Sequence, residues 1–431
     1  MFPQESKTVA DPFATATRLR GAEFAEYYDA YMTTTSTDLP DLRLPPEKQM
    51  NIAIIHVGAP AGGMNSATRS AVAYCLSRGH KPWAIWNGFP GLVRHHKDKP
   101  VGSVRPLDWL GVEGWISRGG SEIGTNRDVP SKVGMGETAE CFKEWGFDAL
   151  FLIGGFEAYT ALSEMRHARS EHPSFRIPMV LLPCTISNNV PGTEYSLGSD
   201  TCLNALVSYC DTIKQSASAS RRRVFCVETQ GGRSGYIATM AGLGIGALAV
   251  YTPEEGIDIQ MLQRDIQHLR ESFATDTGTS RSGKLILVSE HSSPTYTTQT
   301  IANMIRDEAR GRFESRYAIP GHVQQGGTPS PMDRVRAVRL AVKCVQRIES
   351  YAGKSKQEVE KDDDAYAVIG IIGSKVEFGA MEVLEKEDTN WKDRRPLREA
   401  WMDYRKVVDD LSGRPKVVDC CAQCGKRKTA V

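Results

Sequence analysis

The sequence predicts an α/β protein whose mainly parallel sheets carry helices on both faces. Short, almost uninterrupted apolar runs alternate along the chain with stretches of helical pattern, as expected for parallel strands joined by helical crossovers. Each apolar run ends in a loop rich in glycine or polar residues, and ligands of such sheets bind where the strands end. The chain has 431 residues, which is long for one ordinary core, so we expect two packed units.

A repeated β-loop-α unit accounts for most of the predicted sheets. The first unit is the apolar strand Asn51–Val57, the loop GAPAGG and the helical stretch MNSATRSAVAYCLSRG. Further strands are predicted over Asp148–Gly155, Ile177–Pro183, Arg222–Thr229, Gly283–Glu290 and the run AYAVIGIIG. Helices are predicted from about Ser199, over Thr297–Arg312 and over Pro396–Leu411. Strands this short, separated by helices, do not fit an all-β pattern.

Charge and composition exclude several classes of protein. The chain has 53 lysines and arginines against 52 aspartates and glutamates, so it lacks the positive field of a dedicated nucleic-acid binder. No run approaches the roughly eighteen apolar residues of a membrane span. The N-terminus, MFPQESKTVADPF, lacks a secretory signal, and the ten cysteines are scattered singly until the tail. We therefore expect a cytoplasmic protein that binds neither nucleic acid nor membrane.

The two ends of the chain differ from the folded segment predicted over residues 51–405. Within residues 1–50, a short amphipathic helix and a polar, proline-bearing linker are predicted. The aromatic face of that helix consists of Phe24, Tyr27, Tyr28 and Tyr31. Residues 406–431 are expected to form a helix end and a flexible tail. The tail cysteines lack the second CxxC or histidine pair of a zinc site; they are Cys420, Cys421 and Cys424.

Nucleotide-binding motifs are missing from the chain. There is no GxxxxGK[ST] loop after a strand, and GLGIG at Gly242–Gly246 lies in a helical stretch, where close packing is the better interpretation. The first strand, however, is followed by Gly58, Gly62 and Gly63, which let backbone amides approach a phosphate in front of a helix. Alone, this loop is equally typical of a simple turn. Together with the other strand-end loops, it predicts part of one pocket.

The loops after the predicted strands carry a recognisable series of motifs. In chain order they read GGFEAY, PCTISNNVPGTEYSLGSDTCLN, RRRVFCVETQGGRSGY, VSE and GHVQQGGTPSPMDR. Over roughly Asn51 to Arg405, the chain resembles the C-terminal, catalytically degenerate half of a eukaryotic, fungal-type ATP-dependent 6-phosphofructokinase. The resemblance implies the phosphofructokinase fold, with two Rossmann-like, three-layer subdomains whose mainly parallel sheets flank a cleft.

Two groups that phosphoryl transfer requires are missing from the matching positions. Catalytic members carry a TIDND-like loop whose aspartate deprotonates the sugar 1-hydroxyl. The matching residues here are Thr185, Ile186, Ser187, Asn188 and Asn189. A serine hydroxyl is far too weak a base near neutral pH. Phe156 replaces the aspartate that helps hold Mg–ATP, where magnesium needs oxygen ligands, and Glu157 is one position out of register. The resemblance thus implies that this half does not phosphorylate sugar.

Residues that contact a sugar phosphate are retained, which implies an effector site. Glu290 matches the carboxylate that accepts sugar hydroxyls, and Arg127 and Arg394 match arginines directed at a second phosphate. Arg223 and Arg316 match arginines that reach into a neighbouring chain's pocket. The other matches are Gln230, Gly231, Gly232, His322, Val323, Gln324 and Gln325. A single arginine is more often a surface charge, but several around one pocket suit a doubly phosphorylated ligand.

The resemblance implies a division of labour within a longer protein. A homologous N-terminal half would bind Mg and ATP and convert fructose 6-phosphate into fructose 1,6-bisphosphate in glycolysis. This half would bind fructose 2,6-bisphosphate allosterically, without a metal or catalytic residue of its own. Its partners would be that half and neighbouring subunits of a homo- or hetero-oligomer. Two alternatives remain: an independently active sugar-phosphate kinase with an unrecognised base, or a fragment that folds but binds nothing.

Overall fold

The structure, a computed structural model, describes residues 42–94, 102–220, 222–275 and 283–414, and two short strands beyond them. The chain divides into two units, Met1–Pro45 and Pro46–Val431, and every element named below belongs to the second. The aromatic helix predicted before residue 41 and the tail cysteines lie outside the described residues.

A seven-stranded sheet forms the first subdomain. Its strands are β1 (Asn51–Val57), β2 (Lys81–Ile85), β3 (Val104–Pro106), β4 (Ala149–Gly154), β5 (Met179–Pro183), β10 (Tyr366–Ile372) and β11 (Lys375–Ala380). Their spatial order is β11-β10-β5-β4-β1-β2-β3. The five inner strands are parallel, whereas β3 and β11 pair antiparallel at the two edges. The carboxyl ends of β1, β4 and β5 therefore lie side by side.

A four-stranded, fully parallel sheet forms the second subdomain. Its strands are β6 (Arg223–Thr229), β7 (Ala249–Tyr251), β8 (Lys284–Ser289) and β9 (Glu314–Ala318), in the spatial order β7-β8-β6-β9. Two small antiparallel ladders complete the strands described. They are β12 (Thr389–Asn390) with β13 (Arg395–Pro396), and β14 (Val417–Val418) with β15 (Lys428–Thr429).

Helices cover both faces of each sheet, as the sequence predicts. The helices of the described residues are α1 (Met64–Arg78), α2 (Gly88–Val93), α3 (Pro130–Val133), α4 (Met135–Trp145), α5 (Phe156–Ala168), α6 (Ser199–Ser220), α7 (Tyr236–Ile245), α8 (Ile259–Ala274), α9 (Thr298–Glu308), α10 (Pro331–Glu349), α11 (Lys356–Lys361), α12 (Met381–Glu387) and α13 (Met402–Ser412). Adjacent strand residues alternate between two apolar cores, so that Ile54 and Ile55 of β1 are buried on opposite faces. The predicted three-layer α/β architecture is confirmed.

One predicted helix begins later than the sequence pattern indicates. The sequence predicts a helix over Pro396–Leu411, but α13 starts at Met402. Arg395 and Pro396 instead pair with Asn390 and Thr389 in the β12–β13 ladder. The apolar and charged spacing of this stretch suits a helix, but Pro396 lies in the ladder and the Leu397 amide donates to the Asp388 carbonyl at 2.9 Å, so both are held outside the helix.

None of the helices described is both long enough and apolar enough to cross a membrane.

Between β13 and α13 the chain passes from the first subdomain to the second, and a buried carboxylate lies at this passage. Glu399 is 3.6 Å from the guanidinium of Arg395, which also pairs with Glu254 at 3.1 Å. Both carboxylate side chains are at least nine-tenths buried. Burial, reinforced by the negative charge of Glu254, raises the pKa of Glu399 to about 7.

We expect this carboxyl group to make stability pH-dependent. Its pKa is higher in the folded than in the unfolded chain, so its stabilising effect is complete below about pH 4.5 and is lost as pH rises through about 7. Between about pH 4.5 and 7, the free energy of unfolding of the wild type should fall by about 2 to 3 kcal/mol because of this group, and Glu399→Gln should abolish that fall. Urea unfolding at several pH values measures this, with exposed Glu387→Gln as the control. Parallel curves for the two variants would contradict it.

Candidate functional site

A cavity of about 910 Å³ lies where the carboxyl ends of strands from both sheets meet. Loops after β1, β4 and β5 line it on one side, and loops after β6 and β8, with the 3₁₀ turn Gly321–Gln325, line it on the other. Most of the predicted effector residues are in its lining: Arg127, Thr185, Ile186, Ser187, Asn189, Gln230, Gly231, Gly232, Glu290, His322, Gln325 and Arg394. Residues spread over the whole sequence thus converge on a single cleft, at the place where parallel sheets bind ligands.

Two predicted residues shape the cleft from beneath its lining. Asn188 is buried with a positive φ of 49°, and its amide group bonds to the backbone of Glu194 and Ser196 at 2.7 and 2.6 Å. Gln324 is 1% exposed, and its side chain bonds to both the backbone N–H and the backbone C=O of Gln230, at 2.9 and 2.6 Å. These side chains fix the loops that carry Asn189 and Gln230.

Three other predicted residues lie away from the cavity of their own chain. Arg223 donates to Glu314 at 2.7 Å, across the paired strands β6 and β9. Arg316 lies further along β9, 3.8 Å from the same carboxylate, with 59% of its side chain exposed. The two guanidinium groups hold the pKa of Glu314 below its usual value, Arg223 more strongly. Val323 is also exposed, at 69%.

At the position that the sequence analysis matches to a metal ligand of the family, an aromatic side chain is packed into the core. Phe156 is 3% exposed. Its ring lies 5.5 Å from that of Tyr159 and 5.7 Å from that of Trp391, the latter edge-on. The neighbouring Glu157 faces the cleft, where it accepts a hydrogen bond of 2.7 Å from Arg394. Position 156 therefore contributes apolar packing rather than an oxygen ligand.

The predicted sugar-binding carboxylate is held by the loop after β6. Glu290 accepts hydrogen bonds from the backbone amides of Gly231 and Gly232, at 3.0 and 2.7 Å. Gly232 has a φ of 62°, which favours glycine, and a Cβ there would lie 3.3 Å from the Ser187 hydroxyl. The glycine pair thus lets three strand-end loops approach one another closely. Ser187, which the sequence analysis matches to the base position of the family, faces this junction with its hydroxyl group.

Arg127 is carried by a loop that is hydrogen-bonded to β1. The ring nitrogens of buried His56 bond to the hydroxyls of Ser121 and Thr68, both at 2.7 Å. Burial lowers the pKa of His56 to about 3, so this histidine is neutral and acts as a structural link. Nearer the cleft, Gly58 donates to the carbonyl of Asn126 at 2.8 Å. These bonds fix Asn126, the residue before Arg127. The Arg127 side chain itself is exposed and lines the cavity.

A protein-family model described as Phosphofructokinase matches residues 51–348. The chain belongs to the phosphofructokinase family. The ATP-dependent 6-phosphofructokinase of Aspergillus fumigatus is 61% identical over 95% of this chain and 52% of its own length. That of Aspergillus niger is 58% identical over 98% of this chain and 55% of its own length.

Solved phosphofructokinase structures share the fold at high sequence identity. Pichia pastoris phosphofructokinase in the T-state superposes with a TM-score of 0.82 and 50% identity, over 96% of this chain and 46% of that chain. The Saccharomyces cerevisiae phosphofructokinase superposes with a TM-score of 0.82 and 49% identity, over 95% of this chain and 54% of that chain. The chain spans about half the length of these relatives. The predicted resemblance to one half of a fungal phosphofructokinase is confirmed.

The cleft of this chain contains two basic residues that the sequence analysis does not single out. Arg233 and His291 line the cavity, directly after the predicted Gly232 and Glu290. Arg233 also donates to the backbone carbonyl of Lys392 at 3.0 Å. Their adjacency to predicted residues was the available signal. It was too weak, because neighbouring loop residues commonly point in different directions.

The donor set of the cleft does not fit a magnesium ion. Magnesium takes octahedral oxygen ligands, and the nearest carboxylate to position 156, that of Glu157, is engaged by Arg394. Among the described residues no group of three or more His, Cys, Asp and Glu side chains lies close enough to hold a metal. We therefore assign no metal-dependent step to this chain.

Removing the buried amide of Gln324 is expected to destabilise the loop that carries Gln230. Gln324→Ala leaves a backbone donor and acceptor without their partners and opens a void. The free energy of unfolding should fall by about 2 kcal/mol or more. Urea unfolding measures this loss, with Gln325→Ala, a neighbour that lines the open cavity, as the control. A Gln324 variant as stable as the Gln325 variant would contradict the assignment.

Proposed function

We propose that this chain is the C-terminal, regulatory half of an ATP-dependent 6-phosphofructokinase, and that its cleft binds fructose 2,6-bisphosphate. The observation that carries the proposal is the combination of cleft residues. Cationic side chains line the cavity, while its base position holds Ser187 and its metal-ligand position holds buried Phe156. Such a cleft has groups that bind phosphate and lacks groups that transfer it.

The charges of the cleft favour a ligand with two phosphates. Three arginines line it, namely Arg127, Arg233 and Arg394, and guanidinium groups bind phosphate oxygens bidentately. Of the two carboxylates in the lining, Glu290 accepts two backbone N–H groups, and Glu157 is paired with Arg394. Two unit charges about 4 Å apart interact by roughly 4 kcal/mol at a dielectric near 20. Neutral Ser187 and Asn189 therefore spare a second phosphate that repulsion.

The positions of Arg223 and Arg316 support a site completed by a neighbouring subunit. Arg223 is the first residue of the inner strand β6 and Arg316 lies on the neighbouring edge strand β9, and neither lines the cavity of its own chain. In the family resemblance, they are the arginines that contact the effector of the adjacent subunit. We therefore propose an oligomer, homomeric or heteromeric, in which each cleft receives these two cations from a partner.

The proposal assigns phosphoryl transfer to a homologous N-terminal half. That half would bind Mg–ATP and phosphorylate fructose 6-phosphate in the cytoplasm, the reaction that gives the relatives their name, ATP-dependent 6-phosphofructokinase. Binding of the bisphosphate here would shift the assembly between states of different activity, by differential affinity for those states. Residues 1–50 would then be the linker between halves, and residues 51–405 the regulatory half itself.

Calorimetry and a coupled kinase assay test the proposal together. The chain should bind fructose 2,6-bisphosphate, bind fructose 6-phosphate much more weakly, and show no turnover with Mg–ATP and fructose 6-phosphate. Titration should be repeated in the assembled oligomer, where Arg223 and Arg316 of a partner are available. Equal affinity for the two sugars would refute the effector assignment. Turnover by this chain alone would favour the alternative, an independently active kinase.

A further inference from the structure

A short segment of the chain, Asn390–Arg394, lies over the position of the lost metal ligand. Its Trp391 ring is 5.7 Å from Phe156 and 5.6 Å from Tyr159. These contacts fill with side chains the space next to the start of α5. The segment also forms part of the cleft wall, because Arg394 lines the cavity.

The backbone of this segment is fixed independently of the Arg394 side chain. The side-chain amide of Asn189 donates to the Arg394 backbone carbonyl at 2.8 Å, and the Arg233 guanidinium donates to the Lys392 backbone carbonyl at 3.0 Å. Arg394 itself has a φ of 58°, in the left-handed region. The next residue, Arg395, pairs with Glu254 in the second subdomain. Adjacent arginines thus serve different parts of the molecule.

The Arg394 guanidinium has two contacts within the cleft. It lies 5.3 Å from the Phe156 ring centre, a cation–π arrangement, and it donates to a carboxylate oxygen of Glu157 at 2.7 Å. The arginine side chain is 44% exposed and that of Glu157 is 20% exposed. The pair therefore faces the space that a phosphate would occupy.

We propose that Glu157 competes with ligand phosphate for Arg394 and lowers the affinity of the cleft for anionic ligands. This inference rests on the proposed function. A phosphate beside Arg394 must share the guanidinium with the carboxylate and bears a charge of the same sign. Glu157 is not needed to position Arg394, because the backbone bonds and the Phe156 ring already do so. Its main effect on an anionic ligand is therefore repulsive.

Calorimetric titration of fructose 2,6-bisphosphate into the full chain, in its assembled form, tests this inference. Glu157→Gln keeps the shape and the hydrogen-bond acceptor but removes the charge, and should tighten binding about tenfold, the scale of a partly screened repulsion. Glu157→Ala should change the affinity in the same direction. Glu171→Gln removes an exposed carboxylate three residues beyond α5 and should leave binding unchanged. Thermal unfolding verifies that each variant is folded.

The possible outcomes separate this inference from the proposed function. Tighter binding by both Glu157 variants, with an unchanged Glu171 variant, supports the competition. Weaker binding by the Glu157 variants would show that Glu157 positions Arg394, and unchanged binding would show that Glu157 neither positions Arg394 nor repels the ligand. Either result overturns the inference, whereas binding by the wild type still supports the proposed function. If neither the wild type nor any variant binds, the proposed function and the inference both fail.

Discussion

Replacing Ser187 by aspartate is expected to weaken fructose 2,6-bisphosphate binding by about a hundredfold. Ser187 lines the cleft, at the junction with the Gly232 loop. A carboxylate there would meet a ligand phosphate at close range, with a repulsion of up to roughly 4 kcal/mol that the open cavity partly screens. Calorimetry measures the change, and Ser187→Asn, similar in size but neutral, is the matched control.

The same variant separates loss of the base from loss of the metal ligand. Ser187→Asp restores a carboxylate at the base position, but Phe156 still supplies no oxygen ligand for magnesium. We therefore expect no turnover with Mg–ATP and fructose 6-phosphate in a coupled assay. Restored turnover would show that another group holds the metal, and unchanged affinity would show that the phosphate lies elsewhere.

Truncating Phe156 to alanine is expected to lower the free energy of unfolding by about 3 kcal/mol or more, within the range for buried phenylalanines. The side chain is nearly fully buried and contacts the rings of Tyr159 and Trp391. Urea unfolding measures the loss. Phe156→Leu, which keeps most of the apolar volume, should lose much less. If alanine costs no more than leucine, Phe156 does not support the core as we describe.

The sequence predicts six of the seven inner strands of the two sheets, all except β2, and none of their four edge strands, for a physical reason. After its first residue β1 is buried throughout, so it reads as a continuous apolar run. By contrast, β9 is an edge strand with the polar sequence ESRYA, and only its second residue is buried. The apolar run is therefore a signal of burial on both faces. Strands that lack such burial, or that are as short as the three-residue β7, give no such run to detect.

The lining of the cleft follows largely from the motifs, but its internal pairings do not. The motifs alone show that Phe156 occupies the position matched to the family's metal-binding aspartate, whereas its contact with Trp391 depends on the fold. The Glu157–Arg394 ion pair joins residues 237 positions apart, at a place where one strand-end loop meets a passage between subdomains. No local pattern encodes such a contact. The adjoining Arg395 would have been an equally reasonable partner.

A structure of the assembled protein with fructose 2,6-bisphosphate and Mg–ATP both present tests the central claim most directly. We predict that the bisphosphate occupies this cleft, with Arg127 and Arg394 contacting its phosphates, and that no metal ion lies beside Phe156. A magnesium nucleotide bound next to Phe156 and Glu157, or a cleft left empty while the bisphosphate binds elsewhere, would contradict the account.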